Sequence, residues 1–343
     1  MKQGQSRGSF LECVNLRWLL MLCLVSFSTS AVAGEVKDAG LDHPDTVRIG
    51  AFILSIHDLN FHEREYTIRF WVWMRYKNAA FHFDRYVEVP DAKMIEKPDT
   101  ISEPPGSEND SLYTIYLKMK CVMKQEWDVS HFPFDRQILT IWVENTKYET
   151  DSLVFTPDAS GRLYDPHDPI TVEGWHLDSV TDSVDTHLYP SSFGAPPDTT
   201  STYSRYSLRI AIHREPWGLF FKIFMGMYVA FIIAFVAFFI HPDTVDPRFG
   251  IPIGALIAVV GNKYIIEPLL PEASTLTIVD SLHVITLGFI FLILVVSAVS
   301  LSKHWKEASD WPRKLNFYGA AFIAITYPFI NLILILRANL MLP

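Results

Sequence analysis

The sequence predicts an all-β extracellular sandwich followed by an all-α four-helix transmembrane bundle. Three observations carry this. Residues 34–216 hold short runs rich in Val, Ile, Tyr, Phe and Trp, separated by turn clusters. Residues 217–343 hold four apolar stretches of about 20 residues, the length that crosses ~30 Å of hydrocarbon as a helix. A leader of the export type precedes both. The averages over all 343 residues, 49% hydrophobic and 20% charged, blend these contrasting parts. They exclude a cytosolic enzyme, a disordered chain and a disulfide scaffold.

Residues 1–33 read as a signal peptide. Basic Lys2, Arg7 and Arg17 precede the apolar run Leu19 to Phe27. Small Ala31 and Ala33 then fit the cleavage rule, so the mature chain is expected to begin at Gly34. The competing reading is an uncleaved anchor helix, for which the apolar core is short. Cys13 and Cys23 fall in the leader, which leaves Cys121 alone in the mature chain. Stability is therefore expected to come from burial rather than from a bridge.

Residues 34–216 form the expected extracellular (periplasmic) domain. Strands are expected at Arg48–Ile56, Tyr66–Met74, Leu112–Met119, Gln137–Val143 and Tyr206–Ile212. Alternation along Tyr66-Thr67-Ile68-Arg69-Phe70-Trp71-Val72 lets one face be buried. Glu103–Ser107 and Pro196–Asp198 read as turns between strands, and many short strands so separated suggest a sandwich. The block carries 30 acidic and 18 basic side chains, a net charge of −12. Such a domain repels nucleic acid. Solubility is the plain explanation of the charge, and attraction of cations or basic ligands the sharper one.

Motifs of catalysis are missing from this block. It has no phosphate-cradling Gly loop, no nucleophile elbow, no HExxH and no CxxC. His57, His62, His82 and His131 are scattered without metal-ligand spacing. The sequence thus predicts no enzyme, no cofactor and no metal centre. Asp165-Pro166-His167-Asp168 has oxygen donors for a divalent cation, but a solvated turn is the commoner outcome of such a run.

The apolar stretches are Leu219–Ile240, Phe249–Leu270, Thr277–Leu301 and Phe317–Leu340, within a transmembrane domain spanning 217–343. The second contains Gly250, Pro252, Gly254, Gly261, Asn262, Lys263, Glu267 and Pro268, all costly against lipid. Ionisable residues at membrane depth usually face a bundle interior or a water-filled cavity, so the other three spans are expected to shield this one. The linker Ser302–Asn316 carries Lys303, Lys306, Arg313 and Lys314, and Arg248 ends the first loop. The positive-inside bias makes both cytoplasmic. The β-domain and the C-terminus then lie outside, in agreement with the export signal.

Specific residues now point to a family. Trp127-Asp128-Val129-Ser130-His131-Phe132-Pro133-Phe134-Asp135-Arg136-Gln137 resembles the signature loop of the pentameric ligand-gated ion channels, the Cys-loop receptor superfamily. Ile53–Asp58 and Tyr66–Asn78 resemble the family's first two strands, while Gly174-Trp175 and Arg214-Glu215-Pro216 fall where it has equivalents. The two cysteines that close the loop in animal receptors are replaced by Gln125 and Leu139, so the chain is similar to the prokaryotic members. Glu88-Val89-Pro90-Asp91 stands where many members have a Trp-x-Pro motif.

The resemblance implies a homopentamer in the cell (inner) membrane, each chain meeting four identical subunits. An extracellular stimulus, whether a small ligand, a proton or a divalent cation, opens a pore for ions across the bilayer. Gating coupling is expected at Phe132 and Pro133, pressed on the membrane domain, and at Asp135 paired with Arg214, with Asp58 as a third member. A carboxylate and a guanidinium, partly desolvated at a domain junction, hold each other by charge-assisted hydrogen bonds. Ligand binding is expected at Trp73, Arg75, Tyr148, Tyr189 and Tyr203, with Phe193, as an aromatic pocket between subunits suited to cation–π attraction. Aromatic residues in strands are more often core, and Trp73 is the most exposed to that reading.

In the second span, Gly250, Gly254, Ile257, Gly261 and Tyr264 fall on one helical face. As a pore lining, the glycines give width and Ile257 forms an apolar ring that gates by dewetting. The competing reading is packing, because Gly250-xxx-Gly254 is a small-residue interface motif. Asp246 and Glu267 are the expected selectivity residues, as carboxylate rings favouring cations. Arg248 and Lys263 argue the other way. Arg248 matches a family position that points off the axis, and Glu267 lies within i to i+4 reach of Lys263. The alternative function is a non-conducting membrane sensor on the same scaffold, kept open by the glycine stripe and its lack of Ser and Thr.

Overall fold

A computed structural model describes residues 43–106, 111–159, 161–167, 170–172, 174–194, 200–241, 243–270, 276–306 and 311–340. The signal-peptide reading, Asp168, the turn at Pro196–Asp198 and the 271–275 loop lie outside the described residues. Two sheets face each other. The first has the order β4-β5-β2-β1-β7, built from β1 (Asp45–Asn60), β2 (Glu65–Tyr76), β4 (Ala92–Glu103), β5 (Tyr113–Lys124) and β7 (Leu153–Pro157). The second has the order β3-β6-β9-β8, from β3 (Val87–Glu88), β6 (Arg136–Asn145), β8 (Trp175–Tyr189) and β9 (Ser201–Arg214). All neighbours run antiparallel except β1 and β7. A single helical turn, α1 (Phe83–Tyr86), precedes β3.

The sandwich core is written in the alternation of the central strands. Ile68, Phe70, Val72 and Met74 of β2 and Leu117, Met119 and Cys121 of β5 are fully buried on one side. Leu139, Ile141, Tyr206, Ile210 and Ile212 answer from the second sheet. Burial pushes the Cys121 thiol up to about 12, which leaves it an inert core residue. The strands that apolar alternation did not mark are mostly edges. β4 carries Lys93, Glu96, Lys97 and Asp99, and β8 carries Asp178, Asp182 and Asp185. Charged, exposed edges resist pairing with other chains, so these strands exist without an apolar face.

Helices follow directly. These are α2 (Pro216–Phe235, continued by a 3-10 turn Val236–Phe239), α3 (Val245–Ile266), α4 (Ile278–Lys306) and α5 (Trp311–Leu340). All four are long and apolar enough to cross a membrane. Pro216 opens α2, where its fixed φ suits the first turn and its missing N–H costs nothing. Thr277 and Asp280 cap α4 reciprocally: the Thr277 N–H and hydroxyl donate to Asp280 Oδ2 at 3.0 and 2.8 Å, and the Asp280 N–H returns a bond to Thr277 Oγ1 at 3.2 Å. The last span begins at Trp311 rather than Phe317, and α4 runs to Lys306. The polar linker expected at Ser302–Asn316 is therefore mostly helix, because hydropathy marks the hydrocarbon crossing and not the helical turns beyond it.

Shielding of the second span is corrected too. Arg248, Pro252, Ala255, Val259 and Ile266 of α3 are buried against the rest of the chain, but the opposite face is open. α3 meets α2 closely: a Cβ at Gly226 would lie 2.6 Å from Asn262 Oδ1, so any larger residue there would displace the Asn262 side chain.

Candidate functional site

The loop between β5 and β6 is built to keep one shape. Ser130 donates through its N–H and hydroxyl to Asp128 Oδ1, at 3.0 and 2.6 Å. The Gln137 amide donates to the Asp128 carbonyl (2.8 Å) and to Asp135 Oδ2 (3.0 Å), while its oxygen accepts the Asp128 N–H (3.2 Å). At the loop's neck Gln125 Nε2 reaches the Ile138 carbonyl at 3.4 Å and Leu139 is fully buried. Hydrogen bonds and burial thus hold the neck of this loop.

Asp135 and Arg214 meet at the end of this loop. Arg214 Nε donates to Asp135 Oδ1 at 2.9 Å, and Asp135 is 3% exposed. The guanidinium carbon lies 4.2, 4.8 and 5.0 Å from the ring centroids of Trp175, Phe61 and Phe132. Three aromatic faces and one carboxylate therefore enclose the charge, a desolvated cation–π setting. Its buried Nη2 makes no hydrogen bond among the described residues. Phe132 is accordingly turned to Arg214, and Pro133 is buried beside it. Contact with the helices comes from Phe134, whose ring meets Trp217 and Phe220 at 5.5 and 5.7 Å, and from the Ser130 carbonyl, which accepts the Ile278 N–H at 3.2 Å. One loop touches the first turns of α2 and α4. Asp58 stands apart, 73% exposed and bonded to His57 at 2.7 Å. From that end of the sheet it is Phe61, stacked on Trp127 at 4.5 Å, that joins the cage.

A second cluster sits at the far end of β8 and β9. Tyr189 meets Phe193 and Tyr203 edge-on at 5.6 and 5.8 Å. Its hydroxyl donates to Glu144 Oε2 at 2.9 Å and accepts from Arg205 Nη2 at 3.3 Å. Arg205 Nε also donates to Glu144 Oε1, and the guanidinium lies 4.7 Å from the Trp142 ring. Glu144 is 1% exposed. Partial burial, then Glu144, raises the Glu88 carboxyl above its usual range; burial also raises Asp91, with Glu144 adding to and Arg205 opposing the shift. Burial first, and the acidic neighbours second, raise Tyr189 and Tyr203 as well.

The other ligand candidates lie elsewhere in the chain. Tyr148 bonds the Ala80 carbonyl at 3.2 Å under the ammonium of Lys147. Trp73 is wedged between Gly50 and Gly161, either of which would collide with the ring if it carried a Cβ, and donates to Asp158 at 2.8 Å. Arg75 lies on the same strand of the first sheet, so these two and the Tyr189 cluster belong to different sheets. Glu144, Arg205 and Trp142 escaped sequence reasoning. The one available signal was Glu144, a charge that ends the apolar alternation of β6.

On α3, Gly250, Gly254, Ile257, Gly261 and Tyr264 share the open face; Ile257 and Tyr264 are 69% and 70% exposed. Among the described residues nothing lies within 4 Å of a Cβ built on any of the three glycines, so there they serve no close packing. The polar residues beside the stripe are turned inward. Arg248 is fully buried, donating to the Ile240 carbonyl (2.9 Å) and Asn316 Oδ1 (2.6 Å). Asn262 reaches the Ile223 carbonyl and His283, each at 3.2 Å. Lys263 pairs with Asp280 of α4 at 2.9 Å rather than with Glu267 alone on its own helix. Asp246 and Glu267 remain exposed at opposite ends.

No family model matches the chain. It is similar to the glutamate-gated chloride channel of Drosophila melanogaster, at 21% identity over 274 residues, 74% of this chain and 58% of that protein. The chain thus spans less than two thirds of that relative's length. With a β sandwich leading into four apolar helices, this distant similarity supports the ligand-gated channel superfamily, and nothing finer.

Proposed function

We propose that the chain is one subunit of a homopentameric, cation-selective ligand-gated channel whose pore is lined by α3. The single observation that carries the reading is the division of α3 into two faces. One is anchored to its own chain through Arg248, Asn262 and Lys263, and the other, bearing Gly250, Gly254, Ile257, Gly261 and Tyr264, stays open among the described residues. Asp246 and Glu267, exposed where this face runs out at either end, cost too much against lipid. Copies of the same face around a central axis resolve that cost. The inner-membrane setting, with the β-domain and C-terminus outside, belongs to the same proposal.

The relative's name supplies glutamate as stimulus and chloride as cargo. For this chain the stimulus is assigned to the surface around Tyr189, Tyr203 and Glu144, completed by Trp73 and Arg75 of a neighbouring copy, since one chain keeps them on separate sheets. Cations are favoured because Arg248 is buried in the bundle and Lys263 is paired with Asp280, while Asp246 and Glu267 are exposed. The coupling role is assigned to Asp135, Arg214 and the rings that enclose them.

Purified protein in planar bilayers tests this directly. Stepwise unitary currents are expected on applying a small cationic or amino-acid ligand, acid or a divalent cation, with a five-subunit mass by native mass spectrometry. The non-conducting sensor rests on the lack of Ser and Thr along the stripe. Intact pentamers that bind ligand but stay silent under all three stimuli would establish it instead.

A further inference from the structure

The histidines that look scattered in sequence include two that the sheet register brings face to face. His176 of β8 is the direct cross-strand partner of His213 of β9, and their rings stand 5.1 Å apart, inclined by 30°. The neighbours Ile212 and Arg214 point into the interior, so His213 points outward, where His176 is exposed. Between Leu177 and Ser179 the register slips by one residue, and the extra residue is Asp178. This bulge brings Asp178 Oδ1 to 2.6 Å from His213 Nδ1.

We propose that His176 and His213 form a two-point site for a divalent transition-metal ion of the zinc class, with Asp178 as the residue that positions His213. An Nδ1–H given to a carboxylate fixes the tautomer and leaves the Nε2 lone pair free, the arrangement by which metal-binding histidines are oriented. The spacing fits as well. Two imidazoles on one tetrahedral ion, with metal–nitrogen distances of ~2.0–2.1 Å, place their ring centroids about 5 Å apart. Among the described residues no three His, Cys, Asp or Glu side chains converge as ligands, so water fills the remaining positions and the site is weaker than a closed structural one.

The charged groups around the pair set its limits. Arg136 is the cross-strand partner of His213 on the β6 side and opposes a bound cation. Asp128, His131 and Asp178 line an adjoining cavity of about 450 Å³ with Arg136. A metal held here would tie β8 to β9 one residue before Arg214. If the channel reading holds, that is a place from which gating can be modulated, but binding itself does not depend on that reading.

Calorimetric titration of the full, chelator-stripped protein with zinc chloride decides the matter. One saturable site per chain is expected, displaced by copper and indifferent to calcium and magnesium, which prefer oxygen donors. His176→Ala and His213→Ala should each weaken zinc binding at least tenfold, Asp178→Asn by 10–100-fold as for other outer-shell partners, and Arg136→Gln should tighten it. His176 is exposed, so His176→Ala folds even where a β9 variant does not, and it settles the question alone. Zinc affinity unchanged in His176→Ala overturns the site. So does zinc binding that calcium abolishes.

Discussion

Arg214 is held by one carboxylate and three rings, and the balance of those contacts decides what its loss would do. Removing one partner of a buried pair strands the other charge, which costs ~3–5 kcal/mol, more than a surface pair is worth. Asp135→Ala and Arg214→Ala are therefore expected to lose stability of that order and to unfold or disassemble at lower temperature, with impaired opening and little change in ligand affinity. Arg214→Lys keeps the charge but not the planar group that stacks on Trp175, so it should recover only part. Melting curves and dose–response currents that match the parent in both alanine variants would take the pair out of the mechanism. Glu88 gives a prediction of opposite sign. Its carboxyl is raised above the ordinary 4.5 by partial burial and by Glu144, so the folded state holds the proton more tightly than the unfolded chain. That contribution is complete below pH 4.5 and is lost as pH rises through the higher folded value. Glu88→Gln is expected to raise the melting temperature at pH 7 and to make no difference at pH 4; an equal gain at both would place the effect outside this titration.

At the scale of elements, what the sequence made legible follows from how each segment is stabilised. β2 and β5 alternate because one face is core, and their strands were readable. β4 and β8 hold their places by ladder bonds and charge at the sheet edges, so hydropathy passed over them, and with them the bulge at Asp178 and the histidine pair. The Asp135–Arg214 contact was readable because both residues sit in a recognisable loop and pre-helix motif. Phe61, Trp175 and Phe134 were not assigned their places, since ring contacts across three separate segments leave no periodic trace. α3 was recognised as unusual, but its two-faced character needed the geometry: Lys263 finds Asp280 on the next span, which no spacing within one helix could reveal. That two-faced helix carries the gate prediction. In the proposed pore Ile257, 69% exposed at the middle of the stripe, would exclude water only while its ring is apolar and narrow. Ile257→Ser is expected to raise opening without ligand by tenfold or more in single-channel records. A variant that loses oligomer stability while its open probability stays unaltered would make Ile257 a packing residue instead.

For the whole molecule the deciding quantity is the sign of charge that an ion meets along its path. In the proposed pentamer each copy brings residues 34–216 with net charge −12, and a ring of them would lower the potential at the outer mouth, concentrating cations and repelling anions. That field is screened within ~8 Å at physiological salt, so it biases the approach and leaves selection to the pore itself. There, the two basic residues that could favour anions are occupied. Arg248 is buried on the Ile240 carbonyl and Asn316, and the partly exposed Lys263 is paired with Asp280. What faces outward at the two ends is Asp246 and Glu267. Their exposure predicts a reversal potential near the cation equilibrium under a tenfold salt gradient, in contrast to the chloride channel that the chain resembles at a distance. Breaking the anchors should move it. Asp280→Asn releases Lys263 and is expected to shift the reversal toward chloride, while Asp246→Ala alone should weaken cation preference if the inner ring is the filter. A parent channel that reverses at the chloride equilibrium would mean that the pore-facing surface is not the one bearing Asp246 and Glu267, and that α3 turns a different side to the axis once copies assemble.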